Sequence, residues 1–164
     1  MSFGQAIQSG FQQYVTFSGR AGRSEFWFWM LFVVAASFVA NIVESAIGSG
    51  GALGALFSLA TFLPGLAVSI RRLHDTGRSA WWLLILYVPT LVGGALFMVG
   101  VFAVFASMGL GVAVGFAGLG IMGLGGLITL GGFAFWVYTF AQASQSGANQ
   151  YGEQPGTGAA AAVA

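Results

Sequence analysis

"FWFWMLFVVAASFVA", residues 26 to 40, decides the fold. Not one of these residues is charged, and the apolar run continues to Val43. A helix crosses about 30 Å of hydrocarbon with about 20 mainly apolar residues. Backbone amides cannot stay unpaired in lipid, so a spanning segment is either a helix or a strand of a closed barrel. Barrel strands alternate apolar and polar residues over about 10 positions. This stretch does not alternate, so it is a helix.

Further blocks of the same kind follow at Ala52 to Ile70 and, almost unbroken, at Ala80 to Ala141. Hydrophobic residues make up 57% of the chain and charged residues 5%, with a mean hydropathy of +0.87. A soluble domain carries about 25% charged residues, so a water-facing surface can hardly be built here. The chain reads as an all-α integral membrane protein. About 25 residues precede the first block and no small-x-small cleavage site follows it, so it is expected to be a retained span.

Span one runs from Phe26 to Val43 or a little beyond, and span two from Ala52 to Ile70, with "GSGGA" turning between them. Pro64 is expected to kink span two and Pro89 to bend the third block, because proline removes a helical hydrogen bond. The tract from Ala80 to Ala141 would be about 93 Å long as one helix, so it must fold back. "SMGLG", Ser107 to Gly111, is the expected turn, giving spans near 80–106 and 113–140. Four transmembrane helices are therefore expected, with three or five as alternatives. Ser107, Gly111 and Gly115 have small-xxx-small spacing, which lets helix backbones approach closely. Packing inside one bundle is preferred to a dimer face for this stripe.

Before the first span, Phe3, Ile7, Phe11 and Tyr14 recur at helical spacing in an uncharged segment. This pattern predicts a short helix lying in the headgroup region. The expected organisation is an interfacial amphipathic segment at 1–18, a transmembrane domain at 19–141, and a polar tail at 142–164 that is disordered at its end.

One hexapeptide occurs twice, as "GRSEFW" at Gly22 to Trp27 and "GRSAWW" at Gly77 to Trp82. Each copy stands where a loop becomes a membrane helix. Ser24 and Ser79 are expected to cap the helix starts, and Trp27, Trp81 and Trp82 to lie at headgroup level. Spans one and two form a hairpin, so both copies meet the membrane from one side. All five Arg lie on that side, at positions 20, 23, 71, 72 and 78, and there is no Lys. The positive-inside rule makes that side, and the N-terminus with it, cytoplasmic.

"FSGRAGRSEFWFWMLF", "LPGLAVSIRRLHDTGRSAWWLLI" and "GANQYGEQP" together resemble the DUF805 family of small bacterial inner-membrane proteins of undetermined function. The resemblance implies a topology class and a bacterial inner-membrane location, but no reaction. Its signature falls on Gly19, Arg20, Arg23, Glu25 and Trp27, then on Pro64, Arg71, Arg72, Leu73, His74, Asp75, Ser79, Trp81 and Trp82. It ends at Gly147, Asn149, Tyr151, Gly152 and Pro155. The family usually has one span between the Trp pair and the tail, whereas this chain has room for two, which leaves the side of the tail open. Gln150 and Glu153 stand where a basic residue and a proline are more usual, which argues against an anion-binding role for the tail.

Arg71, Arg72, His74, Asp75 and Arg78 form a dense polar cluster, which Arg20, Arg23 and Glu25 approach from the other loop. Five Arg against Glu25 and Asp75 leave a surplus of +3. Such a patch suits phosphate, since each guanidinium offers a planar fork of donors. Arg20, Arg23, Arg71, Arg72 and Arg78 are thus candidates for anionic headgroups or an acidic partner. Glu25, His74 and Asp75 are structural or ion-pair candidates, because salt bridges between the loops would equally explain the charges.

His74 is expected to brace a loop rather than pair with its neighbour Asp75, since adjacent helical residues diverge by about 100°. One His without Cys cannot make an ordinary zinc site. A lone "DTG" lacks the second carboxylate of an aspartic protease. No catalytic residue, metal or cofactor is expected, and no nucleic-acid partner.

Inside the membrane, Ser37, Asn41, Glu44 and Ser45 share a face of span one, and Ser58, Thr61, Gly65 and Ser69 a face of span two. These stripes are expected to hydrogen-bond the hairpin. The sharper reading makes Asn41, Glu44 and Thr61 part of a solute path in a small transporter or channel component, as a homo-oligomer or with a membrane-protein partner. Glu44 is expected near the outer rim, where its charge is tolerable.

Overall fold

The computed structural model describes residues 1–48, 50–110 and 112–156. Among these described residues are five helices: α1 Phe3–Gln12, α2 Arg23–Ile47, α3 Ala52–Asp75, α4 Trp82–Leu110 and α5 Val112–Ala141. Among the described residues the extended pairing is a single bridge between Asn149 and Gly152. Four of the helices, α2 to α5, are long and apolar enough to cross a membrane. The chain divides into two compact units, one of residues 1–80 with the tail from Gln142, the other of Trp81–Ala141. Because the tail rejoins the first unit beside the Arg loops, an even number of crossings must separate Ala80 from Gln142. Four spans satisfy this, and three or five do not.

In the first unit, α1 is an uncharged amphipathic helix whose start is fixed by a capping box between Ser2 and Gln5. It packs on both α2 and α3. Gly10 makes the close approach, since a Cβ there would stand 2.2 Å from the Trp29 ring. Phe11 lies edge-on to Trp29 and Phe32, at centroid distances of 5.2 and 5.9 Å.

The entry to α2 corrects one expectation. The N-cap is Gly22, in extended conformation and without a side-chain cap bond, and Ser24 already lies inside the helix. A capping side chain must sit outside the first turn to reach its free amides. Ser79 likewise precedes the first residue of α4, Trp82, by three positions and is not at its cap. In α2 the first-turn acid Glu25 is the residue that favours the helix dipole.

At the far end of α2, Gly48 closes the helix in the left-handed region, and Gly50 and Gly51 also have positive φ. Ser49 of this turn lies outside the described residues. The N-cap of α3, Gly51, offers no side chain, and Glu44 reaches across from α2 instead. Its carboxylate accepts from Leu53 N at 3.1 Å and Gly54 N at 3.3 Å. A carboxylate at a helix N-terminus meets both free amides and the positive end of the dipole.

α3 runs as one helix through Pro64. The missing proline N–H deprives the carbonyl four residues earlier, that of Ala60, of its donor. α4 similarly continues through Pro89.

In the second unit, α4 and α5 pack backbone to backbone. A Cβ on Gly100 would lie 2.4 Å from Met122 N, and one on Gly125 would lie 2.3 Å from Phe97 N. Gly93 and Gly118 are similarly tight against Thr129 N and Val104 N, at 2.7 and 2.8 Å. On each helix the contact glycines, 93 with 100 and 118 with 125, are one heptad apart, which keeps one seam facing the partner. Ser107 remains helical and meets Gly115 across the pair, at 2.9 Å from a Cβ placed there. The small stripe therefore packs within the chain. α4 also runs past residue 106, the expected limit of its span. Gly111, the expected turn residue, lies outside the described residues.

Candidate functional site

The site grows from the C-terminus of α3. The last four carbonyls of a helix lack intrahelical donors, and they carry the negative end of its dipole. Here they gather both loops and the tail. Leu73 O accepts from Thr76 N and Arg78 N at 3.1 and 2.9 Å, and His74 O accepts from Gly77 N at 3.0 Å and Asn149 Nδ2 at 2.9 Å. Asp75 O accepts from Gln145 N at 2.9 Å, and one turn earlier Arg71 O accepts from Ala21 N at 3.0 Å.

The same end holds a knot of buried charge. Asp75 binds Arg20 at 3.0 Å and also Arg72, with the Ser144 hydroxyl donating to its second oxygen. Arg71 Nη1 donates to Glu25 Oε1 at 2.8 Å, and that oxygen also accepts from the Ser9 hydroxyl at 2.9 Å. The side chains of Arg20, Arg71, Arg72 and Asp75 are at most 2% exposed, and that of Glu25 is 7% exposed. Charges can be buried so deeply only when paired and hydrogen-bonded.

Arg20 shows how completely. Its Nε donates to Asp75 Oδ1, its Nη1 to Gly147 O at 2.6 Å and Gly152 O at 3.2 Å, and its Nη2 to Asp75 O and Gln145 O. Each of its nitrogens therefore has a protein acceptor, three of them tail carbonyls. Arg72 Nη2 reaches a fourth, that of Gln142.

His74 lies between the first loop and the tail. Its ring stacks on Tyr151 at 3.7 Å with a 3° interplanar angle, and its Nδ1 contacts Gly19 O at 3.2 Å. A carbonyl only accepts, so Nδ1 carries the proton. Asp75 faces the guanidinium groups instead, so the two neighbours make no proton-handling pair.

Arg23 and Arg78 differ from the other three. Arg23 is exposed at the first position of α2, and Arg78 is half-buried. Both act on Arg72 as like charges, which places them near the same helix end. The folded tail also brings Glu153 to this side, reducing the surplus from +3 to +2. Among the described residues no group of His, Cys, Asp and Glu could hold a metal ion.

A profile described as a protein family of unknown function, DUF805, matches residues 14–153. The chain belongs to the DUF805 family. It is 46% identical over 79 residues to the inner membrane protein YhaI of Escherichia coli K12, covering 48% of this chain and 67% of that protein. It is 40% identical over 83 residues to the inner membrane protein YhaH of the same strain, covering 48% and 69%. An uncharacterized protein, YiiR, is 33% identical over 81 residues, covering 47% and 53%. No solved structure matches the chain. In this DUF805 chain, signature positions far apart in sequence converge: Gly19, Arg20, Arg72, His74, Asp75, Asn149 and Tyr151 all meet at the end of α3.

The intramembrane stripes behave differently from expectation. Asn41 Nδ2 donates to Ser37 O, Ser45 Oγ to Ile42 O, Thr61 Oγ1 to Phe57 O and Ser69 Oγ to Gly65 O. These bonds return to the donor's own helix, the usual resort of such side chains in helices. Among the described residues, Glu44 differs from these in bonding across the hairpin, to the first turn of α3. Between the stripes lies a cleft of about 290 Å³ lined by Ser37, Asn41, Glu44, Gly54 and Ser58 among others. Thr61 is buried one turn beyond Ser58 and does not line it.

Sequence reasoning missed Ser9, Tyr14, Ser144 and the tail carbonyls. Ser9 had a weak signal, as the hydroxyl on an apolar-faced helix nearest the charged loop. The carbonyls had none, because every residue carries one.

Proposed function

We propose that this DUF805 protein is a non-enzymatic protein of the bacterial inner membrane. Its Arg-bearing side faces the cytoplasm and holds anionic lipid headgroups or an acidic partner segment. The exposed Arg23, beside Trp27, carries this reading. A cation at the first residue of a helix opposes the dipole by about 0.3–1 kcal/mol, so its position does not serve the stability of α2. It does add to the attraction of that helix start for a phosphate. Arg78, half-buried near the same helix end, adds a second positive charge to the field there, while Arg20, Arg71 and Arg72 hold the frame around them. Each basic residue beside an anionic surface contributes about 1 kcal/mol.

The test is the lipid annulus of the protein in mixed phosphatidylglycerol and phosphatidylcholine bilayers, read with spin-labelled lipids at low and high salt. Enrichment of phosphatidylglycerol that falls on Arg23→Gln and Arg78→Gln supports the proposal, and enrichment indifferent to both removes it. Orientation is tested separately by a cysteine at position 76, which a membrane-impermeant reagent should not reach from outside intact cells.

The cleft lined by Ser37, Asn41, Glu44 and Ser58 favours a second reading, a small transporter or channel component. Flux in proteoliposomes that Asn41→Leu and Glu44→Gln leave unchanged would count against it.

A further inference from the structure

The cleft between α2 and α3 has a volume of about 290 Å³, room for several waters at about 30 Å³ each. Its lining brings three kinds of group together. Glu44 supplies a carboxylate whose two oxygens accept from Leu53 N and Gly54 N, the arrangement of an ionised acid. Ser37, Asn41 and Ser58 supply hydroxyl and amide oxygens. Asn41 donates to Ser37 O through its Nδ2, which leaves its Oδ1 to act as an acceptor. Ala55 and the Phe57 ring supply an apolar wall. The basic side chains stand at the other end of the hairpin. Arg23 opens α2, 21 residues or about 30 Å along the axis from Glu44, and Arg71, Arg72 and His74 close α3. Towards that end the cleft is shut by rings. Phe57 packs on Phe32 at 6.3 Å, and Phe32 on Trp29 and Phe11 at 5.5 and 5.9 Å.

We infer that this cleft binds a small organic cation, an amine or guanidine of a few carbons, which enters from the end of the hairpin that lacks Arg. A cleft of one charge sign with low-dielectric walls focuses its field and concentrates the opposite ion. Glu44 sets that sign as negative, so an anion is repelled. The N–H groups of the cation donate to the Glu44 carboxylate and to the oxygens of Ser37, Asn41 and Ser58. Its carbon body lies on Ala55 and against the Phe57 ring, whose face also attracts a cation. A bare metal ion leaves that apolar wall unused, and a neutral solute leaves the carboxylate unpaired. The closed ring stack makes the cleft a blind site rather than a channel.

This assignment rests on the reading of the cleft as a solute site, but it does not require transport. Binding and flux are therefore measured apart. It is also independent of the lipid reading, because the Arg and the cleft occupy opposite ends of the hairpin.

The chain has no cysteine, so Ser58→Cys places a single thiol in the cleft of the full-length protein. Its reaction rates with trimethylammonioethyl and sulfonatoethyl methanethiosulfonate are each divided by that reagent's rate with a free thiol. The cationic reagent should be faster by about tenfold or more, and only from the side opposite to that at which Thr76→Cys reacts. Butylguanidinium should protect the thiol, whereas butyrate and butanol should not. Adding Glu44→Gln should abolish both the preference and the protection. Asn41→Leu keeps the charge but loses an acceptor, so it should keep the preference and weaken the protection; it tests the site even if the glutamine variant folds poorly. Equal rates for the two reagents, a thiol that neither reaches, entry from the Arg side, equal protection by butyrate or butanol, or protection that both variants leave intact overturns the assignment. Butylguanidinium that protects the thiol but does not cross proteoliposomes upholds the site and removes the transporter reading. Flux of butylguanidinium without protection removes the site and leaves that reading standing.

Discussion

The hydroxyl of Tyr14 donates to the carbonyl of Ala60 at 2.7 Å. That carbonyl is the one Pro64 leaves without a helical donor, so a residue from the segment after α1 repairs the proline defect in α3. The bond also ties the N-terminal segment to the hairpin. Tyr14→Phe should cost about 1 kcal/mol, the net worth of one hydrogen bond. Pro64→Ala restores the helical N–H, so the same phenylalanine change in that background should cost less. Thermal unfolding of the four proteins in detergent gives the coupling directly, and equal costs in both backgrounds would refute the repair.

Asp75 is the single carboxylate shared by Arg20 and Arg72. Asp75→Asn leaves both guanidinium groups buried without their counter-ion, which should cost about 3–5 kcal/mol. The tail should loosen with it, because Arg20 holds three tail carbonyls. A cysteine introduced at the exposed Ala148 should then react faster with a water-soluble maleimide than in the parent, and unchanged reactivity would show that the tail docks independently.

The glycines of α4 and α5 divide into two classes. At Gly100 and Gly125 a Cβ meets backbone at 2.4 and 2.3 Å, so alanine must push the helices apart. Overpacking of this kind costs about 1–3 kcal/mol. At Gly120, Gly123 and Gly131 a Cβ meets nothing within 4 Å, and alanine should stabilise by up to about 1 kcal/mol through helix propensity. Melting temperatures in one detergent decide it, and similar shifts for both classes would contradict the seam.

Glu44 caps α3 from another helix, so charge and hydrogen bonding can be separated. Glu44→Gln keeps an acceptor and should lose about 0.3–1 kcal/mol of dipole interaction. Glu44→Leu loses the bonds as well and should cost about 1–2 kcal/mol in total. A glutamine variant as unstable as the leucine one would mean that the charge alone matters.

A four-span helical membrane protein of the DUF805 family, with its Arg clustered beside two helix entries, is legible in the amino-acid string alone. Those features follow from apolar length, from the absence of alternation and from charge placement, all local properties of the string. Which Arg turn inward is set by the folding of the loops and the tail around the end of α3. Arg20 is saturated by carbonyls more than a hundred residues away, and a carbonyl carries no residue identity that a sequence could display. The stripes of α2 and α3 were misread for the reverse reason: serine and threonine hydroxyls were given distant partners, whereas the nearest acceptor is their own helix. The separation of Arg23 and Arg78 from the buried three depends on how the loops close around the end of α3, and spacing along the chain does not encode that closure.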